Sequence, residues 1–404
     1  MPLYDVAVIG AGILGLGTAR ELLHRHPGLK LCVLDKEPDI GRHQTGHNSG
    51  VIHSGIYYAP GSLKAKLCTE GAREMYAFCA ERGIPTDRCG KVIVAIEEDE
   101  LPRLENLHQR GQANGVEGLE VIGPERLREL EPHCVGVKAL WSPNTGIVDY
   151  SLVAKAYAAD VRAAEAELSL SREVTGLQAR SDSMVLATTE GEVQARCVVA
   201  CAGLQADRLA RLTGGSGDPQ IVPFRGDYWM LTPEKRHLAR NLIYPVPDPS
   251  FPFLGVHFTR RIDDGSVWLG PNAVLAFARE GYGRLDTRPG ELLEALRYPG
   301  FQKLAKKYWK TGLAEMVRDF SKSAFLRSLQ RYVPELTAAD LIPGPSGVRA
   351  QALSPDGALV DDFVFDVQGE QVIHVRNAPS PAATSSLTIS RLIADKADEV
   401  FALS

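Results

Sequence analysis

The first 35 residues show a hydrophobic pattern typical of a strand, a helix and a second strand. Residues 6–9 form a short apolar run, and residues 13–26 carry apolar side chains at helical spacing. The pair at 27–28, Pro-Gly, stops the helix, and 29–34 is a second apolar run that ends at Asp35. This pattern predicts a Rossmann-like strand–helix–strand unit at the start of the chain.

The hydrophobic pattern changes several times further along the chain. These changes predict two domains, each built from several separate segments of the sequence. A helix is expected at 64–83, an apolar strand at 193–203 that ends in Ala-Gly, a hairpin of 254–259 with 266–270, and mainly helix at 282–332. We therefore expect an α/β fold in which a Rossmann-like cofactor domain is interleaved with a mostly antiparallel α+β substrate domain. The expected cofactor domain comprises residues 1–85, 145–215 and 336–404, and the expected substrate domain comprises 86–144 and 216–335.

Three glycines between the first strand and the first helix indicate what the unit binds. Gly10 permits a tight turn, Gly12 lets the backbone approach a pyrophosphate, and Gly15 lets the helix pack closely on the strand. The helix start, at Ile13 and Leu14, directs its positive end toward the phosphates. A glycine turn formed by coincidence is the alternative to this dinucleotide site.

The end of the second strand supports the dinucleotide interpretation. Asp35, which precedes Lys36, lies 23 residues after Gly12. An acid at this position meets the ribose 2′-OH of an adenosine and favours FAD or NAD over NADP.

Composition narrows the class of protein. Of 404 residues, 44% are hydrophobic and 24% are charged, as in ordinary globular proteins, and the net charge of −5 offers no general attraction to nucleic acid. No stretch approaches 18 consecutive apolar residues, and the first strand begins at Tyr4, which leaves no room for a leader. Seven cysteines without a CxxC pair or zinc spacing favour a reducing compartment. We therefore expect a cytoplasmic protein without a metal site.

Residues 41–58 form a segment rich in glycine, serine, asparagine and histidine. Such a segment offers backbone N–H groups and small side chains to a flat ligand such as an isoalloxazine ring. A solvent-exposed loop is the alternative, but Val51, Ile52 and Ile56 would serve no purpose there. The segment therefore predicts contact with a flavin.

Four stretches carry a resemblance to a known family: GAGILG, HNSGVIHSGIYY, PFRGDYWML and NAPSPAATSS. Together they closely resemble the L-2-hydroxyglutarate dehydrogenase/oxidase family, within the FAD superfamily of glycine oxidase and D-amino-acid oxidase. The resemblance runs from Tyr4 to about Ile393. GAGILG occurs throughout the superfamily, whereas HNSGVIHSGIYY and NAPSPAATSS are far more specific.

The resemblance implies FAD as cofactor and oxidation of L-2-hydroxyglutarate to 2-oxoglutarate, with hydride passed to flavin N5. It implies a quinone, or less efficiently O2, as the final electron acceptor. Two alternatives stay open. One is a related flavoenzyme that acts on glycerol 3-phosphate or an amino acid, and the other is a flavin-binding sensor or partner protein without turnover.

Histidines are the natural candidates for the base that removes the hydroxyl proton, because their pKa lies near neutrality. His257, in the middle of a strand expected to cover the flavin, is the preferred base. His53, inside the GVIHSG stretch, is the expected substrate anchor or second base. For each of them a structural histidine with satisfied hydrogen bonds is the alternative, and the resemblance favours the active-site role.

Two arginines are the leading candidates to hold substrate carboxylates. Arg225 and Arg349 lie in short predicted strands beside glycines, where a bidentate guanidinium could reach inward. Gln351 and Tyr57 are expected to support them. A dicarboxylate substrate would need two such anchors, and an exposed arginine in a salt bridge is the alternative for each.

The remaining cofactor candidates lie in the 41–58 segment, in two returning strands and before the last helix: Thr45, His47, Asn48, Ser49, Gly50, Val51, Val174, Ala202, Gly203, Ser380, Pro381, Ala382, Ala383 and Thr384. Ser380 before Pro381 predicts the N-cap of the helix at 387–401, whose positive end would face the flavin N1–C2=O edge. His43 is a possible but disfavoured point of covalent flavin attachment.

Residues 303–331 carry eight basic side chains against two acidic ones, with aromatic residues between them. A solvated helical cap of the substrate domain is the simpler interpretation. Peripheral contact with an anionic membrane, such as the inner face of the cell membrane, is the alternative.

Overall fold

A computed structural model describes residues 3–248 and 255–403, and within these it describes residues 310, 311 and 313–320 by their backbone alone. The strands, numbered in chain order, are β1 (Leu3–Ile9), β2 (Leu31–Leu34), β3 (Val51–Ile52), β4 (Thr86–Asp87), β5 (Lys91–Ala95), β6 (Glu120–Ile122), β7 (Lys138–Ser142), β8 (Gly146–Val148), β9 (Glu167–Ser169), β10 (Val174–Ala179), β11 (Met184–Thr188), β12 (Gly191–Ala200), β13 (Gln220–Leu231), β14 (Leu242–Pro245), β15 (His257–Arg260), β16 (Val267–Gly270), β17 (Val274–Leu275), β18 (Leu341–Leu353), β19 (Val364–Gln368) and β20 (Val372–Asn377). The α-helices are α1 (Ile13–Arg25), α2 (Leu63–Glu81), α3 (Leu101–Ala113), α4 (Pro124–Leu130), α5 (Tyr150–Ala163), α6 (Ala206–Leu212), α7 (Pro289–Arg297), α8 (Pro299–Phe320), α9 (Lys322–Gln330) and α10 (Ser386–Phe401).

Eight strands form a sheet around β1, which we call the cofactor sheet. Its main order is β10-β11-β12-β1-β2-β9, and β20 pairs with both β12 and β19. The pairs at its centre are parallel, and side chains of β1 alternate between two buried clusters. Val6 and Val8 pack with α1, α5 and α10, whereas Ala7 and Ile9 pack on the opposite face. Both faces are therefore covered, as a parallel sheet requires.

Nine strands form a second, larger sheet, which we call the substrate sheet. Its main order is β17-β13-β16-β15-β14-β5-β7-β6, and β18 pairs with β13 along most of its length. Most of its pairs are antiparallel, and β14 with β5 is parallel. Phe258, Leu269 and Phe325 lie in its buried core, so α9 packs against it. A small three-stranded sheet, β3-β8-β4, is formed by strands from the segments that join the two.

The chain crosses between the two large sheets several times. β1 and β2 belong to the cofactor sheet, β5 to β7 to the substrate sheet, and β9 to β12 to the cofactor sheet again. β13 to β18 then form the rest of the substrate sheet, and β19 and β20 return to the cofactor sheet. One strand departs from the expected division: β18 lies in the range assigned to the cofactor domain but pairs antiparallel with β13 from Leu341 to Leu353, which places it in the substrate sheet.

Two local predictions have clear outcomes. β15 and β16 pair antiparallel around the turn at 263–265, as expected, while residue 254 of the predicted hairpin lies outside the described residues. The prediction that Ser380 caps the last helix is wrong, because α10 begins at Ser386. Residues 381–385 form turns instead, in which the N–H of Ser385 bonds to the carbonyl of Pro381 at 3.0 Å. Among the described residues, no helix is long and apolar enough to span a bilayer.

Candidate active site

A cavity of about 820 Å³ lies where the two large sheets meet. It is lined by residues at the carboxyl ends of β1, β2, β12 and β20, and by residues of β13, β14, β15 and β18. Ligands of open α/β sheets bind at the carboxyl ends of the strands. Of the predicted site residues, all except Gly15, Gly50 and Arg225 line this cavity.

The glycine-rich turn between β1 and α1 forms one end of the cavity. Gly10 has φ +107°, and a Cβ there would lie 2.4 Å from the carbonyl oxygen of Cys201. A Cβ on Gly15 would lie 1.8 Å from the carbonyl oxygen of Gly10, so α1 starts close against the turn. A Cβ on Gly12 would meet only the Thr45 hydroxyl, at 3.5 Å. The space outside Gly12 is therefore open for a close approach by a pyrophosphate.

Asp35 joins the end of β2 to this turn. Its Oδ2 accepts the N–H of Ala11 at 2.6 Å, and its Oδ1 accepts the N–H of Glu37 at 2.8 Å. Burial raises the pKa of this carboxyl, while the two N–H bonds act in the opposite direction. Each oxygen keeps a further lone pair for a ribose hydroxyl.

The Thr45 hydroxyl holds the first turn of α1. It accepts the N–H of Ile13 at 3.0 Å and is buried. Since a hydroxyl can accept and donate at once, its proton remains available to a phosphate oxygen.

The loop after Thr45 is tied down by its own side chains. Asn48 donates to the carbonyl of Thr45 at 2.6 Å and accepts the N–H of Gly50 at 2.8 Å. Gly50 has φ +71° and supports the cavity from behind, next to Val148 and Arg261. This conformation suits glycine, because other residues are strained there.

His47 connects this loop to the substrate sheet. Its ring stacks on Tyr282 with 4.0 Å between centroids, and its Nδ1 lies 2.9 Å from the carbonyl of Ser346, which can only accept. Ser49 and Val51 line the cavity nearby, while Val174, Ala202 and Gly203 line it from the returning strands.

The turn at 380–385 meets the same loop. The Thr384 hydroxyl, which is buried, bonds to the Tyr150 hydroxyl at 2.9 Å and accepts the N–H of His53 at 3.1 Å. Within the described part of the chain, no acceptor bonds the backbone N–H of Ala383 or of Thr384. Together with the α10 N-terminus beyond them, these groups form a partly positive surface suited to an electron-rich ring edge.

Lys36, Glu37, His43 and Glu280 form a charged cluster at the cofactor end. The Lys36 ammonium bonds to all three of the others, at 2.9 Å to Glu280 and 3.2 Å to His43 Nε2. His43 Nδ1 lies 2.9 Å from the Tyr282 hydroxyl. The ammonium occupies the position that a metal ion would take between the two carboxylates and the imidazole. Both His43 nitrogens are engaged, which disfavours a covalent role for this side chain.

His257 lies on β15 at the other end of the cavity and is buried. Its Nδ1 is 2.9 Å from the carbonyl of Gly255, which can only accept, so Nδ1 carries the proton and Nε2 keeps a lone pair. The ring stacks on Tyr244 with 4.1 Å between centroids. Burial, assisted by the charges of Arg349 and Lys91, lowers the pKa of His257 to about 3. The imidazole is therefore neutral and oriented as a proton acceptor.

His53 and Tyr57 bring two unsatisfied polar atoms to the same end. Among the described residues, neither His53 Nδ1 nor the Tyr57 hydroxyl has a hydrogen-bond partner, although both atoms are buried. Burial lowers the pKa of His53 to about 3, and the charge of Lys91 acts in the same direction. Buried polar atoms of this kind are usually satisfied by a ligand or water.

The two arginines have different positions. Arg349 lines the cavity, and burial lowers its pKa. Arg225 instead pairs with Asp227, with Nε 3.0 Å from Oδ1, and donates to the carbonyl of Gly283. The register explains the difference: Arg349 opposes Phe224, so Arg225, the next residue on β13, projects from the other face of the sheet. The expectation that Arg225 holds a substrate carboxylate is thereby corrected.

Gln351 lines the cavity, and its amide donates to the carbonyl of Ala352 at 3.2 Å. Three residues at this end were not predicted from the sequence: Tyr228 and Tyr244, which line the cavity, and Lys91, which lies behind it. The alternation of polar residues in the PFRGDYWML stretch could have indicated Tyr228. Tyr244 and Lys91 sit in ordinary apolar strands that carry no such signal.

Comparison with known families and structures places this architecture among flavoproteins. A family model described as "FAD dependent oxidoreductase" matches residues 5–396. The chain is similar along its full length to a solved FAD-bound L-α-glycerophosphate oxidase from Mycoplasma pneumoniae, with a TM-score of 0.79 and 22% identity over 100% of this chain and 96% of that one. The solved glycine oxidase from Geobacillus kaustophilus matches with a TM-score of 0.73 and 19% identity, over 100% of this chain and 99% of that one. The cofactor of this chain is therefore FAD.

Curated relatives are much closer in sequence. The chain is 53% identical to the mitochondrial L-2-hydroxyglutarate dehydrogenase of Nematostella vectensis, over 99% of this chain and 91% of that protein. It is 49% identical to the human mitochondrial L-2-hydroxyglutarate dehydrogenase, over 99% of this chain and 90% of that protein. It is 47% identical to a bacterial L-2-hydroxyglutarate dehydrogenase from Indibacter alkaliphilus, over 97% of this chain and 98% of that protein.

Proposed function

Because the chain belongs to the FAD-dependent oxidoreductase family, with L-2-hydroxyglutarate dehydrogenases as relatives along its whole length, we propose that it oxidises L-2-hydroxyglutarate to 2-oxoglutarate. The observation that carries this proposal is the neutral, oriented imidazole of His257 in a cavity that Arg349 also lines. When bound, FAD would supply the acceptor for the hydride, which carries both electrons that leave the substrate.

The substrate end of the cavity supplies the remaining chemistry. His257 Nε2 accepts the hydroxyl proton, and the Nδ1–H bond to Gly255 fixes the ring for that task. A nearby dianionic substrate would raise the pKa of His257 only in part, because it offsets the charges of Arg349 and Lys91 while burial, the largest cause of the low pKa, remains. Arg349 is the proposed carboxylate anchor, and His53 and Tyr57 offer the unsatisfied polar atoms that orient the hydroxy acid.

The flavin spectrum tests this proposal directly. Anaerobic L-2-hydroxyglutarate should bleach the flavin absorbance, and D-2-hydroxyglutarate should not. Bleaching by glycerol 3-phosphate or an amino acid, without bleaching by L-2-hydroxyglutarate, would assign the chain to another substrate of the superfamily. A flavin that stays oxidised with every substrate would identify a non-catalytic binding protein.

We also propose a quinone as the physiological acceptor, with O2 as a slower one, and contact with an anionic membrane through residues 303–331. Lys303, Lys306 and Lys307 are exposed, Trp309 is 60% exposed, and the side chains of Lys310 and Arg318 lie outside the described ones. A cationic helical surface with an exposed aromatic side chain suits anionic headgroups. Co-sedimentation with anionic vesicles should fall with salt, and binding without dependence on lipid charge or salt would contradict the membrane proposal.

A further inference from the structure

Lys91 is a buried lysine at the centre of the substrate sheet. It is the first residue of β5, which lies between β14 and β7, and it opposes Leu242 on one side and Ser142 on the other. Its side chain is only 1% exposed. Lysine is almost never fully buried unless it is paired, because removing an ammonium from water is unfavourable.

Among the residues that the structure describes, the ammonium of Lys91 contacts aromatic rings and no anion. Its ammonium lies 4.8 Å from the ring centroid of Tyr57 and 4.7 Å from that of Tyr244. In the described ranges of the chain, no carboxylate or hydrogen-bond acceptor contacts this ammonium. Burial accordingly lowers the pKa of Lys91 to about 8. Two aromatic faces attract the cation but compensate it only in part.

Both rings that hold Lys91 line the cavity, close to the proposed chemistry. Tyr57 and Tyr244 are cavity residues, and His257 stacks on Tyr244. The charge of Lys91 is among the causes that lower the pKa of His53 and of His257, so its field extends into this part of the cavity. An uncompensated cation behind the wall of a cavity favours an anion on the other side.

We propose that Lys91 determines the preference for a substrate with two carboxylates: its ammonium, held behind Tyr57 and Tyr244, sets a positive potential at the part of the cavity that these rings line. Arg349 then holds one carboxylate by contact, and Lys91 attracts the other through space. This role takes the place that Arg225 cannot fill from the opposite face of the sheet. The identity of the dianion rests on the proposed function, whereas the charge preference does not.

The test uses oxidised holoenzyme and two unreactive probes of equal chain length. Glutarate carries two carboxylates and pentanoate carries one, and calorimetry gives a dissociation constant for each. Lys91→Met should weaken glutarate binding about 10- to 30-fold, from unit charges roughly 8 Å apart at an effective dielectric constant of about 20. Pentanoate binding should change less than about 3-fold, because Arg349 alone holds a single carboxylate. Lys91→Arg, which keeps the charge, should retain most of the preference.

Equal weakening for both probes would overturn the inference in favour of a purely structural role, and so would an unchanged glutarate affinity. An assay of L-2-hydroxyglutarate oxidation, run beside the binding measurements on Lys91→Met, separates the proposed substrate from the proposed role of Lys91. If wild type fails to oxidise L-2-hydroxyglutarate but Lys91→Met loses the glutarate preference, the proposed substrate is wrong and the role of Lys91 stands.

The wild-type protein provides a second test if the variant does not fold. The groups that face Lys91 from the surrounding elements are His53, Tyr57, Cys68, Cys89, Tyr244 and His257, and Arg349 is a further charged group near His257. The two histidines have pKa values of about 3, so they are already neutral at pH 7. Burial raises the pKa values of the cysteines and tyrosines, and Arg349 stays charged, so none of these groups changes its charge near pH 8. Lys91 is thus the group that loses charge near pH 8. The ratio of pentanoate to glutarate dissociation constants should fall as pH rises through 8, and a constant ratio would contradict the inference.

Discussion

Gly12→Ala isolates the contact between the glycine-rich turn and the cofactor, since the added methyl group would point into the cavity. Gly12 has φ −78° and ψ 177°, an extended conformation that alanine adopts without strain. The only described atom within 4 Å of the new Cβ is the Thr45 hydroxyl oxygen, at 3.5 Å. The lower entropy of the unfolded alanine chain contributes about 0.4–1 kcal/mol of stability, and the poorer N-cap removes a similar amount. The free energy of unfolding should therefore change by less than about 1 kcal/mol.

The effect on FAD should be much larger. The methyl group would occupy the space through which a pyrophosphate reaches the backbone at the start of α1. Loss of one hydrogen bond between backbone and phosphate corresponds to roughly 1.5–3 kcal/mol. Because about 1.4 kcal/mol is a factor of ten, the dissociation constant of FAD should rise about 10- to 100-fold.

Gly123 offers a matched control for this experiment. It is the N-cap of α4 with φ −81° and ψ 176°, nearly the conformation of Gly12, and no described atom lies within 4 Å of a Cβ there. Ultrafiltration of each holoenzyme measures the FAD dissociation constant, and urea unfolding measures stability. If Gly12→Ala and Gly123→Ala retain FAD equally well, the pyrophosphate does not lie against Gly12 and the assignment of this turn fails.

Further predictions concern the substrate end. His257→Gln should lower turnover about 10²- to 10⁴-fold with unchanged FAD content, and near-normal turnover at neutral pH would refute its role as base. Arg349→Met should raise KM, whereas Arg225→Met should leave KM unchanged. Arg225→Met should instead lower the free energy of unfolding in urea by about 2 kcal/mol or more, because Asp227 loses a buried partner. A raised KM for Arg225→Met would contradict the position of Arg225 outside the cavity. The pKa of Lys91 falls from 10.5 unfolded to about 8 folded, which lowers wild-type stability by up to about 3 kcal/mol below pH 8 and progressively less between pH 8 and 10.5. Lys91→Met should therefore be at least as stable as wild type at pH 7 in urea unfolding, and lose that advantage by pH 10.5; marked destabilisation at pH 7 would argue against an unpaired cation.

The parts of the fold that sequence could predict are local. β1, α1 and β2 follow one another within 35 residues, so periodicity and three glycines were enough to define them. The pairing of β13 with β18 joins residues more than 100 positions apart, and only its register reveals that Arg225 and Arg349 face opposite ways. From the sequence alone, Arg225 and Arg349 are equally good candidates to face the cavity, because a shift of one residue in strand register moves a side chain to the other face of the sheet.

The same limit applies to Lys91. The rings beside its ammonium belong to Tyr57, in a loop, and to Tyr244, in a strand about 150 residues later. No single stretch of the sequence therefore shows the environment of Lys91. The start of α10 was missed for a different reason. Ser380 and Pro381 match a capping pattern, but the segment after them is held across the cavity by Thr384, and the helix begins only where that bonding ends.

The bonds of Thr384 to the 51–53 segment also bear on the order in which the protein can assemble during synthesis. The glycine-rich turn emerges from the ribosome first, yet the wall that closes the flavin end of the cavity is among the last parts of the chain to be made. A nascent chain can therefore hold at most the ADP half of FAD until about residue 384 is available. A nonsense mutation shortly before Ser386 would remove α10 and its packing on α1, so this late truncation should be as damaging to flavin retention as a change in the first turn.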